Sequence, residues 1–166
     1  MFMSASAAAR RYWLFKSEPA SFSIDALMAA PDRTTLWDGV RNYQVRNFMR
    51  DLMRPGDGVL FYHSGTEPVG VAGLAEVVSG ARPDSTAFDP GHPGYDPKSR
   101  PEEPAWLAVE VRGVERFPAV VPLAALRADP ASATLQALRR GNRLSVTPVA
   151  EAEWTAVCAL GRRSRG

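Results

Sequence analysis

Apolar side chains recur at Val45, Phe48, Met49, Leu52 and Met53, the i, i+3, i+4, i+7, i+8 spacing of a single helical face. Arg46, Arg50 and Asp51 fall on the opposite face. Asn42 is a candidate N-cap, and Pro55-Gly56 ends the segment. A shorter helix is expected over residues 24–30, opened by Ser23 and closed by Pro31. Elsewhere the period drops to that of strands. Residues 12–15 form a short aromatic run that ends at Lys16 and is stopped by Pro19. Residues 35–37 are a brief strand, followed by an Asp38-Gly39 turn. Residues 58–62 read as a buried strand. Residues 69–78 read as another, with Gly70 and Gly73 marking bends. In residues 106–117, Leu107, Val109 and Val111 alternate with Glu110 and Arg112, so one face of a long strand is wet.

Between the last two strands lies a loop holding Pro83, Pro90, Pro93, Pro97, Pro101 and Pro104. That proline density excludes helix or central strand there, and a loop of such length is often functional. Beyond it, residues 123–127 and 135–140 read as single helical pieces and residues 144–149 as a strand. Residues 151–160 read as a helix with Trp154, Val157 and Cys158 on one face, and Gly161 as its stop. Strands dominate the middle while helices sit between and after them. The expectation is an α+β domain with a curved, mixed or mostly antiparallel sheet, without regular βαβ alternation. Residues 1–10 are expected to be a loose N-terminal tail, 11–160 the domain, and 161–166 a basic C-terminal tail.

Composition narrows the class. The 166 residues suit one domain, and 45% hydrophobic with 23% charged is ordinary for a globular chain. Net charge is +2 with a sequence pI near 9.0, and the basic residues are arginines except for Lys16 and Lys98. Arginine bridges phosphate and stacks on bases. The same bias follows from a GC-rich coding sequence, so it assigns no partner by itself. A single cysteine, Cys158, rules out a disulfide framework and fits a reducing, cytoplasmic compartment. No apolar run reaches the roughly 18 residues a membrane span needs. With two histidines and one cysteine, no spacing resembles a zinc ligand set. His63 and Ser64 are adjacent on a strand and point to opposite faces, so they do not pair as base and nucleophile. Neither a nucleophile elbow nor a phosphate-cradling glycine loop is present.

Binding of a planar group fits better. Trp13, Phe15, Trp37, Tyr43, Tyr62 and Tyr95 supply aromatic faces, and a base needs such a face plus a few polar groups for its edge. Trp37 is followed at once by Asp38, Gly39, Val40, Arg41 and Asn42, placing a guanidinium and an amide at a helix start. Each residue also has a plainer role. Trp13 and Phe15 alternate on a strand as core residues do, Tyr62 suits a core, Asn42 suits a cap, and Arg41 suits a solvated surface.

The runs Tyr12-Trp13-Leu14-Phe15-Lys16-Ser17-Glu18-Pro19, Trp37-Asp38-Gly39-Val40-Arg41-Asn42-Tyr43 and Phe61-Tyr62-His63-Ser64 resemble the EVE domain. So do Phe88-Asp89-Pro90, Tyr95-Asp96-Pro97-Lys98 and Arg143-Leu144-Ser145-Val146-Thr147-Pro148. The resemblance covers residues 11–160. It implies a PUA-like fold, a curved mixed β-barrel flanked by short helices, similar to the YTH and SRA readers of methylated bases. It implies binding of DNA or RNA carrying a modified base, without a cofactor. The residues it implies for the nucleobase site are Trp13, Lys16, Ser17, Glu18, Trp37, Gly39, Val40, Arg41, Asn42, Phe61, His63, Ser64, Leu144 and Ser145. In that assignment Trp37 stacks on the base, while Ser17, Asn42 and Ser145 bond its edge. Lys16 and Arg41 meet phosphate, and Leu144 and Val40 form a slot for a methyl group. Two other readings stand beside it: a hydrolase of a nucleoside or nucleobase conjugate using Lys16 and Glu18, and a protein–protein adaptor using the aromatics. A monomer is the default expectation.

Overall fold

The structure is a computed structural model and describes residues 9–163. Strand β1 (Tyr12–Ser17) is followed by helix α1 (Ile24–Ala29), a 3-10 turn (Pro31–Arg33), β2 (Thr34–Trp37) and α2 (Tyr43–Asp51). Then come β3 (Gly58–His63), β4 (Gly70–Val77), a two-residue β5 (Arg82–Pro83) and a 3-10 turn (Ser85–Phe88). The long β6 (Leu107–Pro122), α3 (Leu123–Ala128), two further 3-10 turns, β7 (Val146–Val149) and α4 (Glu151–Arg163) complete the chain.

The strands make one mixed sheet in the order β2-β6-β4-β3-β1-β7, with β5 against β6. Strands β1 and β3 are parallel and the other pairs antiparallel. The class and the curved mixed sheet are as the sequence led us to expect. The curl is visible in its side chains. Trp37 on β2 and Phe15 on β1 belong to strands far apart in the order, yet their rings meet edge to face at 5.2 Å. The sheet therefore rolls up on itself, with the seam between β2 and β7. Gly70 and Gly73 allow the roll. At each, a Cβ would collide with a backbone carbonyl of β6, that of Val121 or of Glu115.

Alternation divides the strands between two cores. Trp13, Phe15, Val59 and Phe61 point inside the roll, where they meet Ile24 and Leu27 of α1 and Val45 and Met49 of α2. Leu14, Leu60, Tyr62 and Val71 point outward beneath α3 and α4, against Leu126, Val157 and Cys158. The helix caps match the sequence signals: Ser23 Oγ accepts from the Ala26 amide, and Asn42 Oδ1 from the Val45 amide.

Four expectations need correction. Strand β6 does not stop near Phe117 but runs to Pro122, because Pro118 lies where the pairing with β4 shifts register and no ladder hydrogen bond is required of it. Residues 135–140 form only a 3-10 turn, Gln136–Leu138. The proline-rich loop is not devoid of structure: β5 and the turn Ser85–Phe88 both lie in it. Gly161 does not end α4 but sits inside it, its bare Cα pressed against the Phe117 ring. Of the expected tails, residues 1–8 and 164–166 lie outside the described residues. Arg10 is held, bonding Gly56 O at 2.8 Å and packing over Tyr12 and Trp154, and Arg162 pairs with Glu115.

Candidate nucleobase site at the mouth of the roll

Where the seam opens, β1, β2 and the segment entering β7 leave a cleft of about 500 Å3, within the range of small-molecule sites. It is lined on one side by Lys16, Ser17 and Glu18, on another by Thr35, Leu36, Trp37, Asp38, Gly39 and Val40, and at its rim by Ser21, Phe22 and Ser145. Among the described residues no helix is long and apolar enough to cross a membrane, and no three His, Cys, Asp or Glu cluster as metal ligands.

Trp37 is the wall. Its indole is half-buried and abuts two fully buried rings edge to face, Phe15 at 5.2 Å and 66° and Phe61 at 5.7 Å and 89°. Such pairs prefer this geometry and fix the ring's orientation. Polar groups stand around it. The Ser17 hydroxyl donates to Phe22 O at 2.5 Å, which spends its proton and leaves its lone pairs to accept. Lys16 makes no ion pair among the described residues, and partial burial lowers its pKa. Its backbone amide bonds Ser145 O at 2.8 Å, which ties β1 to the segment before β7.

The sequence-implied residues thus divide. Lys16, Ser17, Glu18, Trp37, Gly39, Val40 and Ser145 line the cleft. The others stand behind it. Trp13 is 1% exposed and donates its indole N–H to Asp57 Oδ2 at 3.0 Å, so it is core. Phe61 is fully buried and braces Trp37. Leu144 is partly buried against the inner core, outside the residues that line the cleft. The Ser64 amide bonds Ser17 O at 2.9 Å. Asn42 spends its carbonyl oxygen on the α2 cap. Arg41 is not free for phosphate: its guanidinium donates to Val40 O, Gly94 O, Thr86 Oγ1 and Asp84.

Asp84, overlooked in the sequence, explains that arrangement. Its fully buried carboxylate accepts from the Gly39 amide at 2.8 Å, Arg41 Nη1 at 3.0 Å, and the Thr86 amide and hydroxyl at 2.9 and 2.6 Å. Burial pushes its pKa up, but hydrogen bonds from Thr86, Gly39 and Arg41 outweigh it and hold it below the usual carboxylate value. Gly39 has φ of 81°, open chiefly to glycine, so the turn carrying the cleft wall is set by its backbone and pinned by Asp84. Phe22, Ser21, Thr35 and Leu36 were also missed. Both pairs are neighbours of residues already implied: Thr35 and Leu36 precede Trp37, and Ser21 and Phe22 follow Glu18 in a turn whose amides donate to its carbonyl.

His63 is structural. Its Nε2 accepts from the Ile24 amide at 3.0 Å, at the start of α1, which places the ring proton on Nδ1. Burial lowers its pKa, against an opposing pull from Asp25. The folded state therefore binds a proton less readily than the unfolded state. The contribution is complete above about pH 6.5, the ordinary histidine value, and declines as pH falls below it. We expect the Tm to fall between pH 7.5 and 5 and the slope to flatten in His63→Gln, as read by calorimetry. An unchanged slope would assign the acid sensitivity to other groups. His63→Ala, which strands the Ile24 amide, is expected to cost about 1–3 kcal/mol.

Comparison with known proteins matches this architecture. A model of the EVE domain family matches residues 11–160. Human thymocyte nuclear protein 1 is 41% identical over 165 residues, spanning 90% of this chain and 73% of that protein. The crystal structure of the human THYN1 protein in complex with DNA containing 5-methylcytosine superposes with a TM-score of 0.83. It is 39% identical, covering 93% of this chain and 99% of that one. The YTH domain of the Zygosaccharomyces rouxii MRB1 protein shares the fold at a TM-score of 0.54 and 15% identity, covering 100% of this chain and 91% of that one. The chain belongs to the EVE domain family.

Proposed function

We propose that this protein is a binding module that holds one base of DNA or RNA, a modified one, in the cleft at the mouth of the roll. The observation that carries the reading is Trp37, a half-buried indole braced edge to face by Phe15 and Phe61 and exposed to a cleft with polar rims. Such a wall suits stacking of a base, which must leave its duplex stack to enter. The similar human protein in complex with 5-methylcytosine DNA supports a methylated pyrimidine as the first ligand to try. Ser17, its proton spent, would accept from an exocyclic amine, and Lys16 would donate to a base carbonyl or phosphate. Leu36, Val40 and Phe22 are the apolar groups lining the cleft and would stand beside a methyl. A buried methyl is worth about 0.8 kcal/mol, roughly fourfold in affinity. Cys158, buried and the one thiol of the chain, suits a reducing compartment such as the cytoplasm.

The test is binding to short oligonucleotides, each carrying one unmodified or modified base, at fixed salt because phosphate contacts are salt-dependent. Binding should track the modification and fall about 5- to 150-fold in Trp37→Ala, the worth of a stacked base. Equal, weak binding to every oligonucleotide, unchanged in Trp37→Ala, would sink the reading. Lys16 and Glu18 both line the cleft, which favours hydrolysis as the second reading. Turnover of a nucleoside that disappears in Lys16→Ala would select it.

A further inference from the structure

A second aromatic surface lies next to the cleft, three residues beyond Val40. Tyr43, the first residue of α2, is 57% exposed, the most exposed large hydrophobic residue among those described. Trp106 stacks on its ring at 4.6 Å and 29°, and the Arg46 guanidinium lies 4.9 Å from its centroid. Trp106 is itself held from behind, its indole N–H donating to Asp96 at 2.7 Å and Arg41 lying 5.6 Å from its ring. The result is a ladder of two stacked rings with a cation at each end: Arg46, Tyr43, Trp106, Arg41.

Its charge is not cancelled at the exposed end. Arg46 donates to the neutral oxygens of Asn47 and Ala105 and forms no ion pair among the described residues. Asp84 pairs with Arg41 and Asp51 with Arg50, while Asp96 accepts from the Trp106 indole and the Lys98 amide, so none of the three pairs with Arg46. A guanidinium carried on a ring and free of an ion pair among the described residues offers a flat cationic face, which suits a ligand that is planar and anionic at once, a nucleotide. The ladder is also locked to the cleft, because Gly39 N–H and Arg41 Nη1 donate to the same oxygen of Asp84. The three residues from Val40 to Tyr43 span at most roughly 10 Å, within reach of a nucleotide neighbouring the one in the cleft.

We propose that the Arg46 guanidinium, laid on the Tyr43 ring with Trp106 behind it, is a stacking platform for the nucleotide adjacent to the base held in the cleft. The protein then binds a modified base within a strand in preference to the same base alone. This inference rests on the base-binding reading of the cleft and is tested so that the two fail separately. The probes are the 5-methyldeoxycytidine nucleoside and a DNA trinucleotide with 5-methylcytosine at its centre, titrated at fixed salt into wild type, Tyr43→Ala, Tyr43→Phe and Trp37→Ala. The wild type should bind the trinucleotide more tightly than the nucleoside. Tyr43→Ala should lose about 5- to 150-fold on the trinucleotide and nothing on the nucleoside. Tyr43→Phe, which keeps the ring, should match wild type, and Trp37→Ala should lose both ligands. If Tyr43→Ala binds the trinucleotide as the wild type does while Trp37→Ala fails, the platform is overturned, the cleft reading stands, and the patch is left to a protein partner. If the wild type binds neither probe, both readings fall.

Discussion

Asp84→Ala should lower stability by about 3 kcal/mol or more, a Tm drop on the order of 6–12 °C for a chain of this size. It should also abolish base binding at a temperature where the variant is still folded. The carboxylate is fully buried and accepts from the Gly39 amide, Arg41 and both polar groups of Thr86. Removing it strands a guanidinium, two amides and a hydroxyl together. Arg41 is 25% exposed, so water recovers part of the loss, which sets the estimate at the low end for a broken buried pair. The binding loss has a separate cause. Gly39 sits two residues from Trp37 and lines the cleft, so the turn that shapes the wall loses its anchor. Asp84→Asn keeps one acceptor oxygen, loses the charge and the second acceptor, and should fall between. Thermal melts and titrations of the three proteins check both parts. An Asp84→Ala protein that melts as the wild type does would show that Arg41 finds other acceptors at no cost.

The elements that could be read in the sequence were those whose signal is local. The stripe from Val45 to Met53 placed α2, and Ser23 and Asn42 announced their helices as caps, because each bonds an amide three residues on. What failed depended on partners far along the chain. The strand expected over residues 106–117 runs on through Pro118, because β4 and β6 change register there. Gly161 looked like a helix stop, but its lack of a side chain serves the approach of Phe117, which lies on β6. No window of sequence contains both residues of such a pair.

The same distinction runs through the site. Trp37, Gly39 and Val40 were found as one contiguous run, and Lys16, Ser17 and Glu18 as another, and the roll brings the two runs to opposite sides of one cleft. Asp84 was not found because its link to Gly39 spans 45 positions. The local trace it leaves is only a turn, its carboxylate capping the Thr86 amide. Arg41 illustrates the reverse error. An arginine at a helix start invites a phosphate by residue type alone, and only the structure reveals four acceptors already in place.

Phe61→Ala should cost about 3–5 kcal/mol, since the ring is fully buried. The more instructive variant is Phe61→Leu. It keeps an apolar group of moderate size, so its stability cost should be smaller, on the order of 1 kcal/mol. It nevertheless removes the ring that Trp37 meets at 89° and that also touches His63 and Phe22 edge-on or tilted. An edge-to-face pair is worth about 0.5–1.5 kcal/mol beyond its burial, and here that energy holds Trp37 in one orientation. Base affinity should therefore fall about 2- to 12-fold in a protein that still folds, a loss due to the wall's geometry rather than to any contact Phe61 makes with the ligand. Titration and near-ultraviolet circular dichroism of Phe61→Leu read the two effects independently. If affinity stays at the wild-type value while Trp37→Ala loses it, then Phe15 alone, at 5.2 Å, is sufficient to fix the indole, and the pocket is braced from β1 rather than from β3.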